Sequence, residues 1–285
     1  MRNRGAKLLV LTSVLGLAAA AAFGFLLFTA LVLEPNWIVV ERVVIEDSKL
    51  GGPLAGMTIA QISDLHLEGS LGFRERELVR KLNRIEPDII LVTGDLVEEA
   101  APELVEELVK KFRPRIWSYG ILGNSDRVYL PPEGYREGWR QAGLSLVGGK
   151  CLAMAGRGGE IFYLAGVDFP GYEAPGVAEK IDEILADLPA GAPLIFLSYD
   201  PDLAPLLIEK GADLVLSGDT HGGLIGIPGW GKVFHRVFGR TEYVRGVYSI
   251  GGGILYVNRG IAPKVIPARF LCPPEITVFE FRKAG

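Results

Sequence analysis

Short runs of consecutive hydrophobic residues alternate along the chain with segments whose hydrophobic residues have helical spacing. Runs that end in Gly, Asp or Asn are typical of buried strands, and the stretches between them have the periodicity of amphipathic helices. The first half is therefore predicted to contain, in order, strands at 37–46 and 56–66, a helix at 74–86, a strand at 87–97, a helix at 102–112, a strand at 116–124 and a helix at 134–143.

The second half repeats this alternation of strands and helices after a segment with a different pattern. The segments on either side of 156–159 have the pattern of hairpin strands. The elements predicted beyond them are a helix at 176–188, a strand at 192–202, a helix at 203–211, a strand at 211–223, and closing strands within 246–260 and 275–281. Parallel units with antiparallel additions predict an α/β fold, a four-layer α/β/β/α sandwich of two mixed sheets.

The N-terminal hydrophobic run is of a different kind. Residues 8–33 carry no charge, and the run is longer than the ~20 residues that a helix needs to cross a bilayer. A cleaved signal peptide is the alternative, but its apolar region is shorter and ends in small residues, whereas here the alanines 18–22 lie in the middle of the run. We therefore predict one transmembrane helix in an anchor of residues 1–36, followed by a single domain, 37–285.

The charges that flank the run predict its orientation. Arg2, Arg4 and Lys7 precede it, whereas Glu34 follows it, and Trp37 is placed as an interfacial aromatic residue. This distribution predicts a single-pass protein of the cell membrane, with a cytoplasmic N-terminus and the domain on the outer face.

Composition narrows the class of protein further. The chain has 285 residues and is 49% hydrophobic, which is enough for a full core. Its net charge of -4 and the lack of a basic cluster argue against a nucleic-acid partner. Two cysteines, Cys151 and Cys272, are too few for a disulfide framework, and we expect both to be unpaired.

Polar clusters follow the predicted strands. They are "SDLH", "TGDL", "GNSD", "SYDP" and "GDTHGG". The carboxyl ends of parallel strands meet at one edge of a sheet, where open α/β sheets bind ligands. Because Asp64 and His66 are two residues apart on an extended segment, both can face the same side. A set of Asp, Asn and His without Cys suits Mn, Fe or Zn.

This ordered series resembles the calcineurin-like metallophosphoesterases, whose pattern runs D-x-H, G-D, G-N-H-[DE], a lone His and G-H-x-H. The resemblance covers about residues 55–282 and implies the metallo-dependent phosphatase fold. The segments "LYVNRGI" and "RFLCPPEITVFEF" are similar to the tail of a membrane-anchored subgroup that includes UDP-diacylglucosamine pyrophosphatase-like enzymes.

The resemblance also implies two divalent metal ions, among Mn, Fe, Zn and Mg. Carried over by position, the first ion would be held by Asp64, His66 and His221. Asp95 would bridge to a second ion, which Asn124 would also bind. The family mechanism would then be attack on phosphorus by a metal-activated hydroxide, with the ions clamping the phosphate oxygens.

Three positions depart from the family pattern. Tyr199 stands where the family has its lone histidine, and Asp219 where it has the first histidine of G-H-x-H. Both offer oxygen ligands, so the second site is expected to favour a harder ion. Ser125 replaces the histidine of G-N-H; together with Asp95, Asn124 and Asp126 it forms the predicted catalytic set. His235 could enter the site instead, or lie on a surface loop.

Arg259, in "VNRG", is a candidate for binding a second phosphate or a headgroup, with a surface ion pair as the alternative. Trp117, Trp139 and Trp230 are expected to pack or cover loops. The predicted function is membrane-anchored, metal-dependent hydrolysis of a phosphodiester or pyrophosphate, including lipid-linked and nucleotide-sugar substrates. The alternative is a family member that binds metal or ligand without hydrolysis.

Overall fold

A computed structural model describes residues 2–171, 174–227, 229, 242–263 and 267–283. It begins with α1, Arg2–Phe28, which continues without a break through a π turn, Thr29–Leu33, and a 3-10 turn, Glu34–Asn36. The apolar stretch Val10–Asn36 is long enough to cross a membrane, and none of its most apolar part is buried against the domain. The predicted single apolar helix is therefore present.

Twelve strands follow in the described part of the chain. They are β1 Val39–Glu46, β2 Thr58–Ile62, β3 Ile89–Thr93, β4 Trp117–Ile121, β5 Leu144–Leu146, β6 Lys150–Ala155, β7 Ile161–Val167, β8 Leu194–Ser198, β9 Leu214–Ser217, β10 Gly246–Ile250, β11 Gly253–Val257 and β12 Glu275–Arg282. The helices between them are α2 Phe73–Ile85, α3 Pro102–Val109, α4 Asn124–Tyr129, α5 Tyr135–Ala142, α6 Val177–Ile184 and α7 Ala204–Glu209.

The strands form two six-stranded mixed sheets, in the orders β1-β12-β2-β3-β4-β5 and β10-β11-β9-β8-β7-β6. Strands β2 to β5 are parallel to one another, as are β7, β8, β9 and β11. Strand β12 runs antiparallel to β2, and β6 and β10 are antiparallel additions at the edges. The predicted combination of parallel units and antiparallel additions is confirmed.

Three hydrophobic clusters separate four layers. The first joins one face of the first sheet to α2, α3 and α5, with Leu78, Leu108 and Trp139 fully buried. The second lies between the two sheets, where Leu91 and Leu197 are buried. The third joins the second sheet to α6 and α7. Strands β3 and β8 are buried along their whole length, because both faces of each sheet are covered. This arrangement is the predicted α/β/β/α sandwich.

Two elements differ from the sequence prediction. The polar six-residue helix α4 has no hydrophobic periodicity and was not predicted. The segment 144–155 was predicted as one hairpin strand, but Leu144–Leu146 pairs with β4 at the edge of the first sheet, and only Lys150–Ala155 pairs with β7. The chain turns between them at Gly149, whose φ of +80° is readily available to glycine. Both cysteines are unpaired, as expected.

Candidate metal centre

Strands β2, β3, β4, β8 and β9 all finish at one end of the sandwich, which we call the site end. Asp64, His66 and His221 meet there, and one ligand atom from each lies within 4.8 Å of the other two. All three side chains are buried, and the two imidazole rings are stacked with centroids 5.2 Å apart. Residues separated by more than 150 positions therefore form one compact group of oxygen and nitrogen donors.

Both imidazoles are oriented by a partner on Nδ1. His221 Nδ1 lies 2.8 Å from the carbonyl oxygen of Ala262, and His66 Nδ1 lies 2.5 Å from Glu98 Oε2. A carbonyl oxygen only accepts, so His221 Nδ1 carries the proton, and an ionised Glu98 has the same effect on His66. Each Nε2 lone pair then faces the carboxylates: His221 Nε2 is 3.6 Å from Asp64 Oδ1.

Asp95 connects this triad to a second group of polar side chains. His66 Nε2 lies 3.4 Å from Asp95 Oδ2. The Tyr199 hydroxyl donates to Asp95 Oδ2 at 2.7 Å and lies 3.3 Å from Asn124 Oδ1. Ser125 contributes both its backbone N–H, 2.8 Å from Asp95 Oδ1, and its hydroxyl, 3.1 Å from Asp95 Oδ2. The residues predicted for the second ion are thus brought next to those predicted for the first.

Asp219 lies between the two groups. Its backbone N–H donates to Asp64 Oδ1 at 3.3 Å, and its side chain is half-buried. Burial raises the pKa of Tyr199 well above its usual value, and the charges of Asp219, Asp95 and Asp64 raise it further. The Tyr199 phenol therefore keeps its proton in the metal-free protein and acts there as a hydrogen-bond donor.

Asp126 is buried and supports the loops around it. Its carboxylate accepts backbone N–H groups from Leu96, Val97 and Gly123 at 2.8–3.0 Å, which ties the loop after β3 to the start of α4. Burial, and then the Asp95 charge, raise the pKa of Asp126 to about 7, against the lowering effect of those three donors. Its contacts are those of a residue that holds Asp95 and Asn124 in position.

Arg259 lies beside the triad and is already paired. Its Nε contacts Glu275 in a very short ion pair, and its Nη2 lies 3.2 Å from Glu41. Its side chain is adjacent to Gly222, next to His221. It also lines a groove of about 380 Å³ together with Arg245. Arg259 is thus ion-paired, as the alternative from the sequence expected, but the pair with Glu275 is buried and only the pair with Glu41 reaches the surface.

Of the three tryptophans expected to pack or cover loops, the structure describes Trp117 and Trp139, and both pack against the domain. Trp139 is fully buried and donates to the Pro102 carbonyl, and half-buried Trp117 donates to Ser145. Trp230 and His235 lie outside the described residues.

The backbone at the site is strained. Among the described residues, eight that are not glycine have a positive φ, and five of them are predicted ligands. They are Asp64, His66, Asp95, Asp219 and His221, with φ between +42° and +71°. An L-residue in this left-handed region costs roughly 1–2 kcal/mol. Such strain is concentrated where function requires a fixed geometry.

Glycines allow the ligand carboxylates to lie directly against the backbone. A Cβ added at Gly218 would come within 2.8 Å of Asp64 Oδ2, and one added at Gly123 within 2.2 Å of Asp95 Oδ1. Any larger residue at either position would displace a carboxylate of the site.

The donor set fits divalent metal ions. Two imidazoles with oriented Nε2 atoms, buried carboxylates and an amide oxygen converge, and no thiol is among them. Sequence reasoning missed Glu98 and the Ala262 carbonyl, which orient the histidines. Glu98 follows Asp95 by three residues in "GDLVEE", so its proximity to the site could have been predicted, but its partner could not.

Comparison with known proteins agrees with this geometry. A sequence model of the calcineurin-like phosphoesterases matches residues 57–223, and the chain belongs to this family. It is 28% identical to the metallophosphoesterase YkuE of Bacillus subtilis over 94% of this chain and 93% of that protein. It is also 27% identical to the UDP-2,3-diacylglucosamine pyrophosphatase LpxG of Chlamydia trachomatis, over 87% of this chain and 90% of the relative. The predicted resemblance is thereby confirmed.

Proposed function

We propose that the protein is a membrane-anchored, metal-dependent phosphoesterase that hydrolyses a phosphodiester or pyrophosphate bond. The observation that carries this proposal is the meeting of Asp64, His66 and His221 within 4.8 Å, next to Asp95. The family is one of phosphoesterases, and phosphate esters are therefore the expected substrates.

Two divalent ions fit the donor set. Asp64, His66 and His221 would hold the first, and Asp95 would be shared with a second. The remaining ligands of the second ion would be Asn124, Asp219 and Tyr199, all through oxygen, which favours Mn, Mg or ferric iron over Zn. Bound there, the metals would supply Lewis acidity for the phosphate oxygens and lower the pKa of a water molecule.

Ser125 determines which leaving groups the site can serve. Its hydroxyl lies 3.1 Å from Asp95 Oδ2 and 3.2 Å from Glu98 Oε2. It can donate a hydrogen bond, but it is a far weaker acid than the imidazolium of the family's G-N-H motif. General acid assistance contributes about 10² to 10⁴ in rate. The protein is therefore expected to prefer substrates whose leaving group needs no proton, such as nucleotide pyrophosphates and aryl diesters.

The groove beside Arg259 supports a substrate with a second phosphate or a charged headgroup. Arg245 and Arg259 both line it, together with their neighbours Glu41 and Glu275, next to the turn that carries His221. Planar guanidinium groups bind phosphate oxygens in pairs. We propose that Arg259 binds this second group while its Nε stays paired with Glu275.

The apolar helix and the LpxG relative support a lipid-linked substrate. The relative acts on UDP-2,3-diacylglucosamine, as its name states. An apolar helix that precedes the domain would keep the site at a membrane surface. We propose an N-terminus in the cytoplasm and a domain on the outer face, from the charges Arg2, Arg4 and Lys7.

A second candidate function is metal or ligand binding without hydrolysis. It is favoured by the Tyr199 hydroxyl, which already donates to the Asp95 oxygen that a second ion would need. Under this alternative the first ion binds, and the second does not.

One experiment separates the two candidates. The full chain is purified in detergent, its metals are counted by mass spectrometry, and hydrolysis of bis(p-nitrophenyl) phosphate and UDP-N-acetylglucosamine is measured with added Mn, Mg, Fe or Zn. Turnover of either substrate with two bound metals is the expected result. One bound metal without turnover would establish the binding alternative, and neither metal nor turnover would refute both.

Glu98 offers a test of the first site. Replacing Glu98 by Gln should weaken first-site metal affinity about 10- to 100-fold, because the amide loses the charge that orients His66 and raises its basicity. Competition with a chelator measures this affinity. Glu99→Gln is the matched control, since the Glu99 side chain contacts only the Gly69 N–H among the described hydrogen bonds. Equal affinities in both variants would show that Glu98 does not position His66.

A further inference from the structure

The end of the apolar helix is attached to the loops of the metal centre. We propose that this attachment holds the site end of the sandwich against the bilayer surface, and that the substrate is a phosphate group carried by a lipid of that same membrane. The second part rests on the proposed function, whereas the first is independent of it.

Sheet topology places the helix and the site at the same end. Strand β1 is parallel to β12, and β12 is antiparallel to β2. The chain therefore enters β1 at the end of the sheet where β2 finishes. The last residue of β2 is Ile62, and Asp64 follows it by two positions. Val39, the first residue of β1, donates to the Pro274 carbonyl just before β12. Glu46, at the far end of β1, is seven residues away, or about 23 Å.

A buried carboxylate clamps the helix end to the domain. Glu34 is 6% exposed. Its Oε2 accepts the Leu271 N–H at 2.9 Å, and its Oε1 accepts the Cys272 N–H in a very short contact. One turn earlier, the Ala30 carbonyl accepts the Arg269 N–H at 2.9 Å. Leu271 has a φ of +53°, a strained conformation that aims both N–H groups at Glu34.

The clamped segment in turn contacts the triad. The buried Arg269 guanidinium donates to the Ala262 carbonyl at 2.9 Å, the same oxygen that orients His221. Cys272 Sγ lies 3.4 Å from the Gly222 carbonyl. The path from membrane helix to metal ligand therefore consists of direct contacts, with no flexible linker between them.

Exposed apolar side chains lie beside the helix end. Trp37 is 66% exposed and Leu271 is 59% exposed. Ile227 follows the bridge that joins Ile225 to Phe270, and it is also exposed. A buried helix attachment with exposed apolar groups beside it is what a surface in contact with lipid requires. The bilayer that holds the helix is the occupant this surface fits.

This geometry decides the substrate class. A site that faces the bilayer is at headgroup depth, where the phosphates of membrane lipids are concentrated. A tether that let the domain rotate freely would give no such preference. The docked helix thus favours lipid phosphates over soluble ones, because it fixes the site at the depth where lipid phosphates lie.

Depth of insertion tests the orientation without any activity. In a Cys151→Ser background, Leu271→Cys and Glu46→Cys are labelled with a fluorophore, and the full chain is reconstituted in phosphatidylcholine vesicles containing brominated lipid. The Leu271 label should be quenched at least about threefold more than the Glu46 label, since Leu271 contacts the helix end, whereas Glu46 lies at the far end of β1, about 23 Å from Val39. Equal quenching at the two positions, or stronger quenching at Glu46, would overturn the proposed orientation.

A linker variant tests whether the docking matters. A short Gly-Ser linker inserted between Leu33 and Glu34 leaves the Glu34 clamp in the domain and interrupts the continuous helix. The hydrogen bond from Arg269 to the Ala30 carbonyl would not hold the helix in a fixed orientation by itself. The control is the same insertion between Gly5 and Ala6, before the apolar run. The linker should remove the difference in quenching and leave the bound metal unchanged.

The same variants test the substrate class. Hydrolysis of a phosphatidyl-p-nitrophenol diester in phosphatidylcholine vesicles should fall about tenfold in the linker variant, because the reacting groups are no longer pre-positioned. Hydrolysis of soluble bis(p-nitrophenyl) phosphate should be unchanged. Equal loss on both substrates, or on neither, would refute the lipid preference. If the unaltered protein hydrolyses neither substrate, the proposed function fails, while the quenching result still decides the orientation.

Discussion

Replacing Asp64 by Ala is expected to release the first metal ion and to lower hydrolysis about 10³-fold, which corresponds to ~4 kcal/mol of transition-state stabilisation. Asp64 is fully buried, and it lies 3.6 Å from His221 Nε2. No other described carboxylate completes the triad with His66 and His221. Metal content by mass spectrometry and turnover of bis(p-nitrophenyl) phosphate measure the two effects.

Thermal unfolding separates this loss from simple misfolding. Without metal, Asp64, Asp95 and Asp219 place like charges close together, so relief of this repulsion should offset the strain of Ala at a φ of +52°, and the melting temperature of the metal-free protein should change little. Added metal should raise the melting temperature of the unaltered protein but not that of the variant. Asp88→Asn is the control: Asp88 is a buried, ion-paired carboxylate before β3, and its loss should reduce stability while metal binding persists. Retention of the first metal by the Asp64 variant would contradict the triad.

The layers of the fold were predictable because a strand that is buried on both faces of its sheet is a continuous apolar run in the sequence. Strands β3 and β8 are continuous apolar runs, and the helices between them carry apolar positions on one face. Helix α4 leaves no such trace. It is polar, and it is held by Asp126, whose three N–H donors come from residues distant in sequence or at its own cap.

The triad was predictable for a different reason. Parallel strands finish at one end of the sheets, so polar residues that follow β2, β3 and β9 must approach each other. The residues that orient the histidines were not predictable. Glu98 and Ala262 reach His66 and His221 only because of turns with positive φ, and no hydrophobic pattern encodes such turns.

Glu34, at the end of the apolar helix, is a further case in which the sequence did not predict the contact. From the sequence it is simply the first acid after an apolar run, a signal for topology. In the structure it is buried, and it binds two N–H groups 237 and 238 residues away. Seven of the eight strained residues that are not glycine in the described chain belong either to the predicted ligands or to the turns at Leu224 and Leu271 beside them. The strain therefore follows the path that joins the helix to the site.

The proposed second ion depends on residues that depart from the family pattern. Among these residues, Asp219 gives the most direct test. Replacing Asp219 by Ala should remove the second metal, keep the first and lower turnover about 10²-fold, because its side chain is expected to bind only the second ion and its backbone contact to Asp64 is retained. Asp219→Asn is the matched control: it keeps an oxygen donor and tolerates the φ of +71°, so it should weaken the second site less than Ala does. Metal counts and turnover at increasing Mn measure the outcome. Two metals retained by the Ala variant would show that Asp219 is not a ligand, and the second ion would then have to be held by Asp95, Asn124 and Tyr199 alone.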